Sequence, residues 1–281
     1  MSGLRSRTFV RGVGEVAADA PVAAADDPGL RGDGFFETLL VRDGIVRLHA
    51  HLDRFERSAA AFGVRVDRRE WTGIAEAVTD AVPPGVEAAL RLTVARGGVE
   101  FATVRPVPAS VLRGRAGVRA LTLPRGTATV PDAPWLLAAA KTSSYAVNSA
   151  ALREAARRGA DDAVFVDAGG FVLEAPTANV LWRRDGRWRT PPQAGRAVLP
   201  GTTLAAVAAQ VEVTEVPVRP GELLDGEGVW LLSSLRGAAP LRALDGRAVS
   251  VDEDATALLA GIALGTRCGS AGPSSGGTIG G

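Results

Sequence analysis

Between residues 50 and 62 the apolar side chains Leu52, Phe55, Ala59 and Phe62 recur at helical spacing, and Gly63 follows as a left-handed stop. The pattern predicts a helix with one buried face. Upstream, the apolar runs 36–41 and 45–48 flank Asp43-Gly44, which predicts a β-hairpin on a two-residue turn; Asp185-Gly186 and Asp245-Gly246 repeat that signal. A second helix is predicted over 68–81, ended by Pro83-Pro84, followed by strands over 88–95 and 99–107 across Gly97-Gly98. The proline- and glycine-bearing stretch 105–117 is the best linker candidate. Beyond it the pattern predicts strands at 118–123, 163–167, 171–174, 179–182, 187–190, 211–217 and 229–232, with helices over 145–158 and 202–210.

Most of these later connections read as hairpins, so the second half is expected to be rich in antiparallel strand with helices around it, and a doubly wound parallel sheet is disfavoured. The fold class is therefore mixed, α/β in the broad sense and α+β in detail. The expected division is a small N-terminal α/β domain over 1–110, a larger strand-rich domain over 118–268, and a disordered Gly/Ser tail over 269–281. There is no internal repeat.

With 281 residues, 46% hydrophobic and 22% charged, the chain has the make-up of a globular protein with a sizeable core. A formal net charge of +1 and the lack of a dense basic stripe leave no electrostatic footprint for nucleic acid, so a small-molecule partner is expected. The single cysteine, Cys268, allows no internal disulfide. The first fifteen residues lack an apolar signal core and the weakly charged stretch 255–265 is too short to span a bilayer, so no membrane association is expected and a cytoplasmic location follows by default.

Of 32 basic residues only Lys141 is a lysine. In a chain this skewed to arginine, a retained lysine marks a place where a guanidinium will not serve, because an ammonium can lose its proton on desolvation and then act as nucleophile or base. That points to imine chemistry. The other reading is a chance survivor on a solvated surface, against which stands the apolar run 135–140 just before it.

Other site chemistries fail. Lys141-Thr142 lacks the glycines of a phosphate-binding P-loop, and Gly32-Asp33-Gly34 lacks the third glycine of a dinucleotide fingerprint. The only histidines, His49 and His51, have no supporting metal-ligand spacing, and read as one solvated and one packed; no metal site is expected. Neither Cys268 nor any Gly-x-Ser-x-Gly elbow supplies a partnered nucleophile.

A lysine imine with pyridoxal phosphate needs an acid for the pyridine nitrogen, a phosphate cup and a reactive face. Glu174, at the end of a predicted strand, is a candidate acid; standing alone it reads equally as a surface turn residue. Leu199-Pro-Gly-Thr-Thr203 leads into a helix whose N–H groups and hydroxyls could face an anion, or is simply a good helix cap. Ser233-Ser234 and Arg54 could complete the cup.

Taken in order, Gly32-Asp-Gly-Phe-Phe-Glu-Thr38, His51-Leu-Asp-Arg54, Lys141, Glu174-x-x-x-x-Asn179, Leu199-Pro-Gly-Thr-Thr203 and Ser233-Ser234 with Pro240 resemble the class IV aminotransferases. These are the fold-type IV pyridoxal phosphate enzymes, which include branched-chain aminotransferases, D-amino acid aminotransferases and aminodeoxychorismate lyases. The resemblance implies that Lys141 forms the covalent link to pyridoxal 5'-phosphate and Glu174 pairs with its ring nitrogen. It also implies that Arg54, Gly201, Thr202, Thr203 and Ser234 hold the phosphate while Leu199 packs on the ring. The family fold has a smaller N-terminal and a larger C-terminal domain, usually in a homodimer.

Thr38 occupies the place where the lyases carry a threonine able to relay a proton; otherwise it is a strand threonine chosen for β-propensity. The Arg and His that trap the α-carboxylate in D-amino acid aminotransferases are missing after Arg96-Gly97. Tyr145 stands one place earlier than the branched-chain enzymes' tyrosine, so that role is not carried over. The expected activity is that of a 4-amino-4-deoxychorismate lyase giving 4-aminobenzoate and pyruvate in folate biosynthesis. The alternatives are a class IV amino acid transaminase using 2-oxoglutarate and a non-catalytic homologue. Arg31, Arg96, Arg105 and Arg236 are all open as carboxylate binders.

Overall fold

A computed structural model describes residues 4–17, 27–126, 134–137, 139–194, 196 and 198–265. In chain order, strands β1 (Arg7–Val10), β2 (Gly14–Val16), β3 (Gly34–Val41), β4 (Ala88–Ala95) and β5 (Glu100–Pro106) form an antiparallel sheet ordered β2-β1-β5-β4-β3. Helices α1 (Asp27–Arg31), α2 (Leu48–Ala61) and α3 (Arg68–Thr79) lie within this half, and α4 (Ala109–Gly114) follows it. The second half runs β6 (Val118–Pro124), a 3-10 turn at Pro134–Leu136, α5 (Ala146–Arg157), β7 (Asp162–Val166), β8 (Asn179–Arg184) and β9 (Arg187–Thr190). It continues with α6 (Thr202–Ala208), β10 (Val213–Glu215), α7 (Pro220–Leu223), β11 (Gly228–Ser233), β12 (Gly237–Leu244), β13 (Arg247–Ala248) and α8 (Glu253–Leu264). Its strands are ordered β10-β9-β8-β11-β12-β6-β7, with β13 on β12.

Side-chain alternation explains how each sheet is covered. On the first sheet Phe35, Leu39, Leu90 and Leu92 pack with Leu52, Phe55, Ala59 and Trp71 of α2 and α3 into one core. The intervening residues Phe36, Thr38 and Arg91 are left for the opposite face. On the second sheet Val180, Trp182, Val229 and Leu231 enter one core, while Leu181, Trp230 and Leu232 enter another beneath α6 and α8. Both of its faces are therefore occupied. The helix ends obey local rules: the Asp67 carboxylate accepts from the N–H groups of Arg69 and Glu70 at the start of α3, and Asp252 caps α8 through Ala255.

The mixed helix-and-sheet class is as expected, and Asp185-Gly186 and Asp245-Gly246 do turn hairpins with both residues at positive φ. Four expectations are corrected. Residues 45–48 are not a strand: only Ile45 bridges to Val41. Arg47 then adopts φ 56° and donates to Ile262 O (3.2 Å) and Ala263 O (2.7 Å) of α8, turning the chain into α2 at Leu48. The linker candidate is structured, since β5 runs to Pro106, Pro108 starts α4, and Arg115 pairs with Glu87 and donates to Leu235 O.

Residues 171–174 form an irregular extended segment rather than a strand, with Val172 bonded to Val218 and Leu173 to Phe165. The second sheet is also less antiparallel than hairpin reading suggested, because β6–β7, β6–β12 and β9–β10 are parallel. Helices α5 and α6 lie between β6–β7 and β9–β10, and a crossover helix is what parallel pairing of successive strands requires. Cys268 and the expected tail over 269–281 lie outside the described residues. No helix among the described residues is long and apolar enough to cross a membrane.

Candidate active site

A cavity of about 1270 Å³ lies between the two sheets, lined by Phe36, Thr38, Arg54, Arg91, Lys141, Tyr145, Glu174, Leu199, Gly201, Thr202, Thr203 and Ser234 among others. Every site residue inferred from sequence therefore reaches one space, although they come from positions 38 to 234.

Lys141 is placed by backbone. Its N–H donates to Ser58 Oγ of α2 (3.1 Å), its carbonyl accepts from Phe36 N–H (2.9 Å), and Thr142 bridges to Phe35. The Gly32–Thr38 motif is the other half of that clasp, and Gly34 must lack a side chain because a Cβ would come within 2.3 Å of Val94 O. The preceding apolar run is not the buried segment the sequence suggested: Ala140 is buried, but Trp135 is 74% exposed. The Lys141 amine nevertheless sits over the Phe36 ring (4.5 Å) and near that of Tyr145 (5.4 Å). Burial, and next the charge of Arg54, lower its pKa to about 8 against the opposing pull of Glu37 and Glu174.

Glu174 and Asn179 explain their five-residue spacing. Glu174 Oε2 accepts from Leu199 N–H (3.1 Å) and Asn179 Nδ2 donates to Leu199 O (2.9 Å), so the pair clasps both ends of one residue. Gly201 follows with no room for a Cβ, which would meet Asn179 Oδ1 at 1.8 Å. Burial raises the Glu174 carboxyl to about 7, despite the Leu199 N–H, Arg125 and Lys141. Arg125 Nη1 reaches its other oxygen at 3.3 Å. Tyr145 donates its hydroxyl to Pro176 O (2.9 Å), and burial, with Glu174, pushes its pKa up to about 12, so it stands as a neutral wall rather than a base.

Sequence reasoning missed a buried polar network below the cavity. Glu37 and His51 are both fully buried. Arg54 forks onto Glu37 through Nε and Nη2, each at 2.7 Å, and its Nη1 donates to Pro200 O (3.0 Å). His51 Nδ1 lies 2.7 Å from Glu37 Oε2, and Nε2 lies 3.2 Å from both Thr202 Oγ1 and Ser234 Oγ. Arg47 Nη2 reaches Thr203 Oγ1 at 3.4 Å. Burial alone would raise Glu37, but Arg54 and then His51 outweigh it and hold the carboxyl at about 2. Burial pulls His51 below the ordinary histidine value even beside Glu37. The signal was present in the spacing of His51 and Arg54, which at i and i+3 share one helix face, with Arg47 just before the helix. The hydroxyls of Thr202, Thr203 and Ser234 and the guanidinium of Arg54 line this end of the cavity.

Arg91 was missed as well. The register of β3 on β4 pairs Thr38 with Arg91, so both stand side by side on the cavity face, with the guanidinium 3.9 Å over Phe36. Arg91 makes no hydrogen bond or ion pair among the described residues. Of the four arginines left open, Arg96 pairs with Asp33 away from the cavity, Arg31 and Arg105 are exposed outside its lining, and Arg236 lines it while paired with buried Asp162 at 2.7 Å.

Known proteins share the sequence family and the fold. The family model for amino-transferase class IV matches residues 34–244. The chain is 42% identical over 253 residues to a bifunctional aminodeoxychorismate lyase / D-amino acid transaminase of Mycobacterium tuberculosis, covering 81% of this chain and 87% of the relative. It superposes at TM-score 0.86 and 38% identity on a hypothetical aminotransferase from Mycobacterium tuberculosis in PLP-bound form, over 94% of this chain and 100% of the other. A fold IV-transaminase from Curtobacterium pusillum matches at TM-score 0.84 and 36% identity, over 92% and 98%. With its lysine, its carboxyl and its hydroxyl-lined cup gathered in one cavity, the chain belongs to the class IV aminotransferases.

Proposed function

We propose that the chain is a pyridoxal phosphate-dependent lyase that converts 4-amino-4-deoxychorismate to 4-aminobenzoate and pyruvate, in the cytoplasm and as a homodimer. The observation that carries the lyase reading is the pairing of Thr38 with Arg91 on the wall that Lys141 shares. A hydroxyl able to pass a proton stands beside a cation able to hold a carboxylate, and the substrate has both an acidic leaving fragment and carboxylates. The name of the Mycobacterium tuberculosis relative supports the same activity.

The residues present fit the cofactor. An amine that can be neutral, a carboxyl that can share a proton, and a cup of hydroxyls above a neutralised carboxylate match its aldehyde, ring nitrogen and phosphate in turn. When bound, pyridoxal phosphate supplies an electrophilic carbonyl and an electron-withdrawing ring. Lys141 would hold that carbonyl and, once displaced by the substrate amine, take the proton from the carbon that bears it. Glu174 holds the proton at the ring nitrogen, and Leu199 packs against the ring. Arg54, Thr202, Thr203, Gly201 and Ser234 form the phosphate cup. Thr38 delivers the proton to the departing enolpyruvate.

The division into domains over 1–110 and 118–268 is supported by the two sheets, with α4 between them. Exposed Trp135 and Val147, next in sequence to Leu136 of the cavity lining and close to Tyr145, support a partner copy at its mouth. The second reading is amino acid transamination, favoured by the relative's second named activity and by Arg91, which would hold an amino acid carboxylate equally well. The deciding measurement supplies aminodeoxychorismate alone, then D- and L-amino acids with 2-oxoglutarate. Release of 4-aminobenzoate without an amino acceptor supports the lyase; amino transfer with no such release overturns it.

A further inference from the structure

His51 has no part in the roles above, yet it joins the two halves of the phosphate cup. It is fully buried, its Nδ1 lies 2.7 Å from Glu37 Oε2, and its Nε2 is equidistant, at 3.2 Å, from the hydroxyls of Thr202 on α6 and Ser234 after β11. The charged groups facing it are Glu37 on β3, Arg54 on its own helix and Arg47 just before that helix, while the C-terminal elements offer it only hydroxyls.

The ring's proton inventory is constrained. Glu37 is ionised and accepts twice from Arg54, so the proton between it and Nδ1 belongs to the imidazole. The state of Nε2 is then the only variable. A neutral Nε2 offers one in-plane lone pair, and the hydroxyls turn their protons towards it. A phosphate dianion offers acceptors only, so both hydroxyls must turn their single protons to the anion when it sits against them. Their lone pairs then face Nε2, and a bare Nε2 would oppose two acceptors in a buried pocket, which is costly.

We propose that His51 is a positioning residue that takes up one proton at Nε2 when a phosphate group occupies the cup, becoming an imidazolium that donates to Thr202 and Ser234 while they donate to the phosphate. This rests on the reading that these hydroxyls hold the cofactor phosphate. One proton passes from solvent to Nε2, two hydroxyl rotors reverse, and no other bond changes. Without the anion, burial favours the neutral ring; with it, the imidazolium lies between two anionic groups and is stabilised.

The chain has only two histidines, and the other, His49, is exposed, so isotope-labelled histidine gives two imidazole signals that a His49→Gln variant assigns. The expected result is a neutral His51 protonated at Nδ1 in the cofactor-free protein and an imidazolium after reconstitution with pyridoxal phosphate, both near neutral pH. A neutral His51 in a sample whose absorbance shows bound cofactor overturns the proposal and leaves the enzyme reading intact. A protein that takes up no cofactor overturns both. As a second readout, cofactor affinity should fall by up to about tenfold per pH unit between the midpoint of His51 in the empty protein and that of the loaded imidazolium, and level off above the latter. In His51→Asn, which keeps a donor for Glu37, that slope should vanish; an unchanged slope counts against the relay.

Discussion

The two ends of the cavity treat charge in opposite ways. At the floor, Glu37, Arg54 and His51 are buried and mutually paired, each guanidinium and imidazole nitrogen facing a partner. At the wall, Arg91 has no ion-pair partner among the described residues, the Lys141 amine is held at about 8 and the Glu174 carboxyl at about 7. Pairing fixes geometry and removes reactivity, whereas desolvation without full pairing brings protons into the range where they can be exchanged. The floor is built to hold and the wall to react. That difference separates what disruption at each end should do.

The largest effect belongs to the wall. Lys141→Arg keeps a cation and its bulk but cannot form an imine, so turnover should fall by roughly 10⁴-fold or more and the absorbance of covalently held cofactor should disappear. A variant that keeps both would erase the distinction, since the reactive end would then not need its amine. Next comes the floor: Glu37→Gln leaves the Arg54 and His51 pair without its carboxylate, and chemical denaturation should report a loss of about 3–5 kcal/mol. If stability is unchanged while cofactor binding weakens, the floor is a binding element alone. The smallest effect is selective: Arg91→Gln should lower kcat/KM by about 10–100-fold, the value of a charge-assisted hydrogen bond, with cofactor retention and folding intact. Equal loss of cofactor in that variant would place Arg91 with the floor.

The wall was more legible in sequence than the floor, and for a physical reason. Lys141 stands out because it is the single lysine among 32 basic residues. Glu174 and the Leu199–Thr203 turn stand out because a fixed spacing is needed to clasp one peptide unit from both ends. Glu37 does not, because one carboxylate inside Phe35-Phe36-Glu37-Thr38-Leu39 reads as the outward position of a half-exposed strand; its burial depends on an arginine from a helix 17 residues later. The apolar flanks on both faces were the signal that it had to be buried and therefore paired. Arg91 was hidden for a different reason, since its place beside Thr38 is set by strand register, which joins residues far apart in sequence. Hairpins were legible where Asp-Gly supplied two positive φ values. The parallel pairings were not, because no local residue encodes which strand a crossover returns to.

The clasp on Leu199 reads only its N–H and its carbonyl, the atoms that all residues but proline share. Evolution and directed libraries alike can therefore vary the side chain at position 199, and with it the surface offered to the ring and substrate, without loosening the turn that leads into Thr202 and Thr203. Proline alone is barred, having no N–H for Glu174. A site whose anchoring is written in backbone and whose shape is written in side chains can change what it accepts by single substitutions, which suits a fold shared by lyases and transaminases.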